Sequence, residues 1–258
     1  MINYKTYLCK TSTNWVTFVH GAGGSSVLWY KQIREFSKNH NVLLVDLRGH
    51  GDSKPDSNYT SKYTLPQISK DIIDVLDFEN IEKTHFVGMS LGTIIVREIG
   101  ELYPERVVSM VMGGAVLELN FKAKFLLNIT KLVKNIIPYL FLYHILAYIL
   151  MPKERHKQSR NLFVQEAQKL YQKEFCRWFT ITIGMDTILK HFQITELPIP
   201  TLYIMGEDDY MFLAPIKRIV KNHVNFSKLI VVPNSGHVVN VDNAKVFNRE
   251  TLLFLTGI

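Results

Sequence analysis

The chain has 258 residues, enough to bury a large hydrophobic core as one domain or as a core with an insertion. With 47% hydrophobic and 21% charged residues and no repeat or low-complexity tract, its composition excludes a disordered or fibrous protein. Only Cys9 and Cys176 are present, far apart, so no disulfide framework is indicated, and MINYKTYLCK at the start carries no apolar stretch of signal-peptide length. A reduced, cytoplasmic setting is therefore expected.

The formal charge of +7 is concentrated in one part of the chain. Residues 116–196 contain 12 Lys and Arg against 6 Asp and Glu, a net +6, whereas the remaining residues hold 18 against 17, a net +1. A basic surface attracts nucleic acid, anionic lipid or an acidic substrate. The basic residues here are mixed with long aliphatic and aromatic runs and accompany no nucleic-acid-binding motif, so no nucleic-acid partner is expected.

Short apolar segments alternate with helical patterns along the chain. Six segments lack polar alternation, as is typical of strands covered on both faces of a sheet; they span 15–21, 41–47, 85–89, 107–113, 201–206 and 229–233. A helix is predicted from Thr64, where Gln67 completes a capping-box pattern and Pro66 lies in the first turn. Another is predicted from Leu91 to about Tyr103. Strands separated by helices predict an α/β core with a mostly parallel sheet.

The alternation stops between about 116 and 196, where the pattern is helical throughout. The apolar run at 136–151 would span roughly 24 Å as a helix, short of the ~30 Å hydrocarbon core of a bilayer, and Pro138 and His144 interrupt it. A helical insertion that packs over the core is therefore preferred to a transmembrane helix. The predicted domains are a core of 1–115 and 197–258 and a helical cap, or lid, of 116–196.

The segment HFVGMSLG places Ser90 between a predicted strand and a predicted helix. Gly88 and Gly92 lack the Cβ atoms that would clash across so tight a turn, and the turn would lift the serine hydroxyl to the positive end of the helix dipole. Backbone N–H groups at the helix start, including that of Leu91, would be free to bind a developing oxyanion. The pattern fits a nucleophile and also a glycine-rich turn that carries no chemistry.

A second glycine-rich turn lies in VTFVHGAGGSS, after the strand predicted at 15–21. Such a turn can approach a ligand closely and offer another backbone donor. A phosphate-binding loop is the rival interpretation, but the segment has neither a Gly-Lys-Ser/Thr ending nor G-x-G-x-x-G spacing. We expect His20 to organise this turn rather than to react.

Asp209 and His237 each follow a later predicted strand, in YIMGEDD and VVPNSGHVVN. Acidic residues in a turn and a single histidine in a loop are ordinary features by themselves. Their order is informative, because Ser90, Asp209 and His237 all follow the carboxyl ends of strands, and parallel strands bring those ends to one edge of the sheet. The three side chains can therefore converge.

The motifs HGAGG, DLRGHGDS, GMSLG, GEDD and SGH resemble, in order and spacing, those of the α/β-hydrolase fold superfamily. The resemblance covers about 1–115 and 197–258. It implies an eight-stranded, mostly parallel sheet flanked by helices, with a helical cap inserted after the sixth strand. In DLRGHGDS it implies structural roles for Asp46, Arg48 and His50.

Carried over by position, the resemblance implies a catalytic triad and an oxyanion hole. Ser90 would be the nucleophile, Asp209 the acid and His237 the base. The oxyanion donors would be the backbone N–H groups of Ala22 and Leu91. The chain departs from the family in two respects: only about 14 residues precede the strand at 15–21, so the first strands must be short, and two adjacent acids compete for one role. The family's G-x-x-D spacing from Gly206 selects Asp209 rather than Asp208, and no metal or organic cofactor is required.

A serine at position 90 excludes the dehalogenase and epoxide-hydrolase branches, which use an aspartate there. The first hypothesis is a carboxylesterase acting on a small or medium acyl ester, including a monoacyl lipid. The second is a hydrolase that cleaves a C–C bond in a dienoic or diketone-type acid, bound by Arg or Lys inside the cap; a buried cation facing Ser90 would favour it. The third is a non-catalytic small-molecule receptor on the same scaffold. Thioesterases also remain compatible with a serine nucleophile.

The predicted cap contains the residues that bear on the substrate. Phe141 and Tyr143 belong to an apolar run that would line an acyl pocket, or form a surface that contacts a membrane while Lys and Arg face anionic headgroups. The rival interpretation is a cap helix buried against the core. Trp29 is another candidate for the pocket, with core packing as its alternative. The expected partner is a small-molecule acyl substrate, and the sequence indicates no oligomeric state.

Overall fold

A computed structural model of the chain describes residues 1–53, 63–134 and 136–258. The strands in this part of the chain are β1 (Tyr4–Tyr7), β2 (Trp15–Val19), β3 (Asn41–Val45), β4 (Thr84–Met89), β5 (Val107–Gly113), β6 (Thr201–Gly206) and β7 (Ser227–Val232). The helices are α1 (Tyr30–Phe36), α2 (Leu65–Phe78), α3 (Leu91–Leu102), α4 (Phe121–Val133), α5 (Tyr139–Leu150), α6 (Lys157–Ala167), α7 (Gln172–Ile183), α8 (Asp186–Ile194), α9 (Leu213–Val220), α10 (Val239–Asp242) and α11 (Ala244–Thr256).

The strands form one sheet in the order β1-β3-β2-β4-β5-β6-β7. β1 is antiparallel to β3, and every other neighbouring pair is parallel. The predicted α/β class and mostly parallel sheet are confirmed. The described residues form seven strands rather than the expected eight, because the single four-residue strand β1 is the only one that precedes β2 in them.

All six strands predicted from the sequence lie in this sheet, as β2 to β7. β4 and β6 are buried at every residue, which explains their continuous apolar sequences. The helix predicted from Thr64 is α2, and the Thr64 side chain accepts a hydrogen bond from the Gln67 N–H, as the capping pattern indicates. α3 ends at Leu102, just before Pro104.

The strand order reverses direction at β2. The chain passes from β2 to β3 on one side of it and then returns to β4 on the other side, so β2 and β4 are neighbours. Ligands in open α/β sheets bind at the carboxyl ends of strands beside such a switch point. The loop that follows β2 and the turn that follows β4 meet at this position.

Five helices, α4 to α8, lie in sequence between β5 and β6, and we call them the inserted helices. They follow the fifth described strand, which is the sixth in the numbering of an eight-stranded sheet that has one more strand before β2. Several of their buried residues, including Ala147, Leu150 and Trp178, belong to the main hydrophobic core, while Tyr143 and Phe175 belong to a smaller second cluster. No helix in the described ranges combines the length and apolar character needed to cross a membrane.

Candidate active site

Ser90 occupies the turn between β4 and α3 in a strained backbone conformation. Its φ is 53° and its ψ is −119°, a region that residues other than glycine rarely adopt. A Cβ atom on Gly88 would lie 2.7 Å from the Gly92 carbonyl oxygen, and one on Gly92 would lie 2.3 Å from the Val19 carbonyl oxygen. The two glycines therefore allow the first turn of α3 to pack in close contact with β2 and β4. This packing fixes the direction of the serine side chain.

Ser90, His237 and Asp209 are joined by two hydrogen bonds. Ser90 Oγ lies 2.9 Å from His237 Nε2, and His237 Nδ1 lies 2.7 Å from Asp209 Oδ2. Asp209 and His237 are each 2% exposed, and the ring of Phe212 packs 5.2 Å from the imidazole. The carboxylate holds the proton on Nδ1, which leaves Nε2 free to accept the proton of the serine hydroxyl. The structure thus brings together the three side chains that the sequence predicts.

The neighbouring carboxylate, Asp208, is used differently. Its Oδ1 accepts a hydrogen bond from Lys153 Nζ at 2.6 Å and its Oδ2 one from Arg155 Nε at 2.8 Å, while His156 Nε2 lies 3.3 Å from Oδ2. Burial raises the pKa of Asp208, but the hydrogen bonds and charges of Lys153 and Arg155 outweigh that effect and lower the pKa to about 2. Asp208 therefore ties the end of β6 to the segment that follows α5.

Two buried histidines organise the glycine-rich loop after β2. His20 Nδ1 donates to the Gly21 carbonyl and Nε2 accepts the Leu47 N–H, at 2.8 Å and 3.0 Å. His50 Nε2 accepts the Gly23 N–H at 3.0 Å. Burial lowers the pKa of both imidazoles, that of His50 to about 3, so both are neutral and serve as fixed hydrogen-bonding groups.

Asp46 and Arg48, the other two residues assigned structural roles in DLRGHGDS, each bind a neighbouring segment or turn. Asp46 Oδ1 accepts the Ser26 N–H at 2.6 Å and Oδ2 accepts the Asp52 N–H at 3.0 Å. Arg48 pairs with Asp71, with Nη2 2.7 Å from Oδ1. The Asp46–Ser26 contact connects the loop after β3 to the segment after β2, and the Arg48–Asp71 pair connects it to α2. None of these contacts reaches Ser90.

The backbone N–H groups of Ala22 and Leu91 belong to two segments that meet beside the serine. A Cβ atom on Gly21 would lie 3.0 Å from Ser90 Cβ and 3.7 Å from Leu91 N, so the loop after β2 runs directly beside the serine turn. Neither the Ala22 nor the Leu91 N–H donates a hydrogen bond within the part of the chain that the structure describes. Both are therefore available to a substrate oxygen atom bound next to the Ser90 hydroxyl.

An apolar pocket of about 70 Å³ opens onto Ser90 and His237. The inserted helices contribute much of its wall, through Leu146 and Leu150 of α5, Met151, and Leu162, Phe163 and Glu166 of α6. No Lys or Arg among the described residues lines it. Apart from the triad histidine, the one ionisable side chain among these lining residues is Glu166, which is 5% exposed and accepts hydrogen bonds from Ser25 Oγ at 2.5 Å and Lys169 Nζ at 2.6 Å.

The three residues predicted to line the pocket lie elsewhere. Trp29 is fully buried in the core, where its ring packs 4.9 Å from that of Phe18. Phe141 is 56% exposed on the outer side of α5, because the pocket-facing side of that helix is occupied by residues about half a turn away. Tyr143 is buried in the second cluster and contacts the loop after β2 from behind, against Gly23.

Local sequence patterns do not show that Glu166 lines the pocket. They also do not show that Asp208 forms ion pairs. Glu166 lies in a polar helix without a motif, and its burial depends on how α6 packs against the core. Arg155 and Lys153 belong to the basic part of the chain, but only folding brings them to Asp208. In residues 1–53, 63–134 and 136–258, no three His, Cys, Asp or Glu side chains converge in a way that could hold a metal ion.

Comparisons with known proteins bear on the fold of the chain. The chain matches the family model described as the alpha/beta hydrolase fold over residues 14–139. It is 24% identical over 248 residues to a putative carbamate hydrolase, RutD, of Pseudomonas savastanoi pv. phaseolicola, with 92% of each chain covered. It is 23% identical over 257 residues to epoxide hydrolase 4 of Mus musculus, with 92% of this chain and 71% of that protein covered. The solved enol-lactonase from Burkholderia xenovorans has a TM-score of 0.81 and 18% identity, over 99% of this chain and 96% of that one.

The names of these relatives cover different reactions, so similarity alone does not select a substrate for this chain. The shared fold extends over nearly the whole chain, including the inserted helices, and the family-model match includes the turn that carries Ser90. The chain therefore has the α/β-hydrolase fold.

Proposed function

We propose that this protein is a serine hydrolase that cleaves a neutral acyl ester, with Ser90 as nucleophile, His237 as general base and Asp209 as the acid that orients the base. The observation that carries the proposal is the continuous hydrogen-bonded line from Ser90 Oγ through the imidazole to Asp209 Oδ2, at 2.9 Å and 2.7 Å. A serine hydroxyl is a weak nucleophile near neutral pH and needs such a base to react.

In the proposed reaction Ser90 Oγ attacks the ester carbonyl carbon while His237 Nε2 takes its proton. Asp209 stabilises the imidazolium that forms. The imidazolium then protonates the departing alcohol, which leaves an acyl-enzyme at Ser90. Water, deprotonated by His237, attacks the acyl carbon, and collapse of the second tetrahedral intermediate releases the acid and restores the serine.

The negative oxygen of each tetrahedral intermediate is assigned to the Ala22 and Leu91 N–H groups. Both donors lie beside Ser90 without an acceptor among the described residues, and Leu91 is at the start of α3, where the helix dipole is positive. Loss of one such donor in other enzymes raises the barrier by about 3 kcal/mol.

The pocket supports a neutral and largely apolar acyl group. Its described walls are formed mainly by Leu, Met, Phe and Val, and they contain no Lys or Arg to balance a substrate carboxylate. Glu166 adds a buried carboxylate to the same wall; its partner Lys169 is half exposed and does not line the pocket, so the carboxylate would repel an anionic substrate. In this proposal residues 116–196 act as a cap, because α5 and α6 cover the space above Ser90.

The two alternative functions have less support from the site. A C–C hydrolase of a dienoic or diketone-type acid requires a cation that holds the acid, and the described pocket residues include no Lys or Arg. A non-catalytic receptor has no need of a serine held at a φ of 53° and hydrogen-bonded to a buried His–Asp pair. A receptor also leaves unexplained the N–H groups available beside Ser90, whereas a C–C hydrolase would use them as an esterase does.

The test is hydrolysis of p-nitrophenyl acyl esters by the purified chain, with Ser90→Ala as the inactive variant. Ser12→Ala, in the segment before β2, is a matched control that removes a hydroxyl far from the site. We expect turnover by the wild type and the control and none above background by Ser90→Ala. Absence of serine-dependent turnover with every ester would contradict the esterase proposal and favour C–C cleavage or a receptor role.

A further inference from the structure

α4 exposes a continuous apolar stripe to the solvent. Its exposed apolar residues recur at helical spacing and so lie on one face: Phe121, Phe125, Ile129 and Leu132. Phe121 and Leu132 are 84% and 78% exposed, and the rings of Phe121 and Phe125 stack on each other. Large apolar side chains rarely form a contiguous exposed patch unless something binds there.

α5 is apolar on nearly every side, with His144 as its one strongly polar side chain, yet only one side of it is covered. Tyr143, Ala147 and Leu150 are buried, whereas Phe141, Ile145, Tyr148 and Ile149 form a second exposed stripe on the opposite side. A helix that is apolar all round is normally buried or in contact with lipid. Among the described residues, Arg160 lies over the Tyr148 ring, and the rest of this outer stripe stays exposed.

The segment that contains both stripes carries only positive charges. Residues 119–153 contain five Lys and no Asp, Glu or Arg. By helical position Lys122 borders the α4 stripe on one side, and Lys124 and Lys131 border it on the other. Lys124 pairs with Asp186 at 3.0 Å, while Lys122 and Lys131 are exposed and form no ion pair with the described residues.

We propose that the outer stripes of α4 and α5 bind the surface of an anionic lipid bilayer. Apolar side chains flanked by lysines on a helix that is too short to span the membrane are the arrangement of an interfacial helix. The apolar residues would enter the boundary between headgroups and acyl chains, and Lys122 and Lys131 would contact lipid phosphates. The bilayer supplies both the apolar cover and the negative charge that this surface lacks.

A second copy of the chain fits the surface less well. Pairing two identical stripes would bring lysines of one copy near lysines of the other, and residues 119–153 offer no carboxylate to separate them. Lys124 is paired with Asp186, but Lys122 and Lys131 have no ion pair among the described residues and would weaken such a contact, whereas each basic residue near the surface strengthens binding to anionic lipid by about fivefold.

The same helix serves both the bilayer surface and the pocket. Leu146 and Leu150 of α5 line the pocket beside Ser90, while Phe141 and Tyr148 face outward. If the pocket binds an acyl group, which is the proposed function, bilayer binding would place it one helix away from lipid. Binding itself does not depend on that function, so it is tested without any turnover measurement.

The experiment is co-sedimentation of the full chain with vesicles of phosphatidylcholine alone or of phosphatidylcholine with phosphatidylglycerol. The test variant combines Lys131→Glu with Leu132→Ser on α4. The control combines Lys245→Glu with Leu253→Ser on α11, where Leu253 is 62% exposed. Because the test variant reverses a charge and removes an apolar group from the stripe, we expect its affinity for the anionic vesicles to fall at least about tenfold.

We expect the wild type and the control to bind the anionic vesicles, to bind neutral vesicles weakly, and to dissociate as salt is raised to about 0.5 M. The single variant Lys122→Glu repeats the test on the other border of the stripe if the double variant does not fold. Equal binding to both vesicle types, no binding, or equal losses in test and control would overturn the proposal. A dimer in sedimentation velocity that Leu132→Ser dissociates, without vesicle binding, would assign the surface to a second copy instead.

Discussion

The carboxylates of Asp208 and Asp209 are adjacent in the chain but hold two different parts of the molecule. Asp209 Oδ2 lies 2.7 Å from His237 Nδ1, and Asp208 accepts hydrogen bonds from Lys153 and Arg155. One acid orients the imidazole beside Ser90, and the other ties the end of β6 to the segment after α5. Substitution of each acid should therefore affect a different property.

Asp209→Asn should lower kcat by about 10⁴-fold, because the amide no longer fixes the imidazole tautomer or stabilises the imidazolium. Asp208→Asn should lower kcat by less than about tenfold and should lower the unfolding temperature, because Lys153 and Arg155 lose their ionic partner. Steady-state ester kinetics and thermal unfolding of both variants test these two predictions. Similar losses of kcat in both would show that the acids do not have separate roles.

The stability of the protein in acid should depend on Asp208. Its pKa is lowered to about 2, below the value of about 3.9 for an unfolded chain. The carboxylate therefore contributes stability that is fully present above about pH 4 and is lost as the pH falls towards 2. Chemical unfolding between pH 5 and pH 2 should show a steeper loss in the wild type than in Asp208→Asn. Parallel curves would mean that the ion pairs contribute nothing in solution.

Ser90→Gly should be inactive but more stable than the wild type. The φ of 53° at Ser90 costs a residue with a Cβ atom about 1–3 kcal/mol, whereas glycine adopts it without that strain. Ser90→Ala removes the same hydroxyl and keeps the strain, so it serves as the control. Urea unfolding of the two variants measures the difference, and equal stabilities would argue against stored strain at this turn.

Glu166→Gln should relax discrimination against anionic esters. The substitution keeps the shape of the side chain and an acceptor for Ser25 but removes the negative charge from the pocket wall. The ratio of kcat/KM for p-nitrophenyl butyrate to that for mono-p-nitrophenyl glutarate should fall by about tenfold. Glu154→Gln, at an exposed position, should leave it unchanged. An unaltered ratio in Glu166→Gln would remove this residue from any role in selectivity.

Turnover of p-nitrophenyl esters in the absence of vesicles should be greatest for short acyl chains. The pocket of about 70 Å³ is much smaller than the ~300 Å³ at which drug-sized ligand sites begin, and Leu146 and Phe163 limit its depth. A series from acetate to palmitate should therefore peak at or below butyrate in kcat/KM. A peak at palmitate would require the inserted helices to move before a substrate binds.

The sheet and the positions of Ser90, Asp209 and His237 could be predicted because they depend on local sequence. Continuous apolar runs define buried parallel strands. In such a sheet the residues that directly follow the strands all lie at the edge formed by the carboxyl ends. Distinguishing Asp209 from Asp208 required family spacing, because two adjacent acids are equivalent in a local pattern.

The pocket could not be predicted, because its walls depend on how the inserted helices pack. Phe141 and Tyr143 belong to one apolar run, but the run is apolar on every side of α5, so its periodicity carries no information about which side faces Ser90. Trp29 follows the glycine-rich loop in sequence and still turns into the core. Glu166 is a charged residue in a polar helix, a pattern that ordinarily indicates solvent exposure.

The contact between Tyr143 and Gly23 limits how this protein can be re-engineered. A Cβ atom on Gly23 would lie 2.6 Å from the Tyr143 ring, so the aromatic side chain of α5 fills the space that the glycine leaves empty. Exchanging residues 116–196 for the corresponding segment of another hydrolase would remove the support behind the loop that carries Ala22, unless the graft brings its own ring to that place. Specificity in this scaffold is therefore better changed by point substitutions in the pocket walls than by exchange of whole modules.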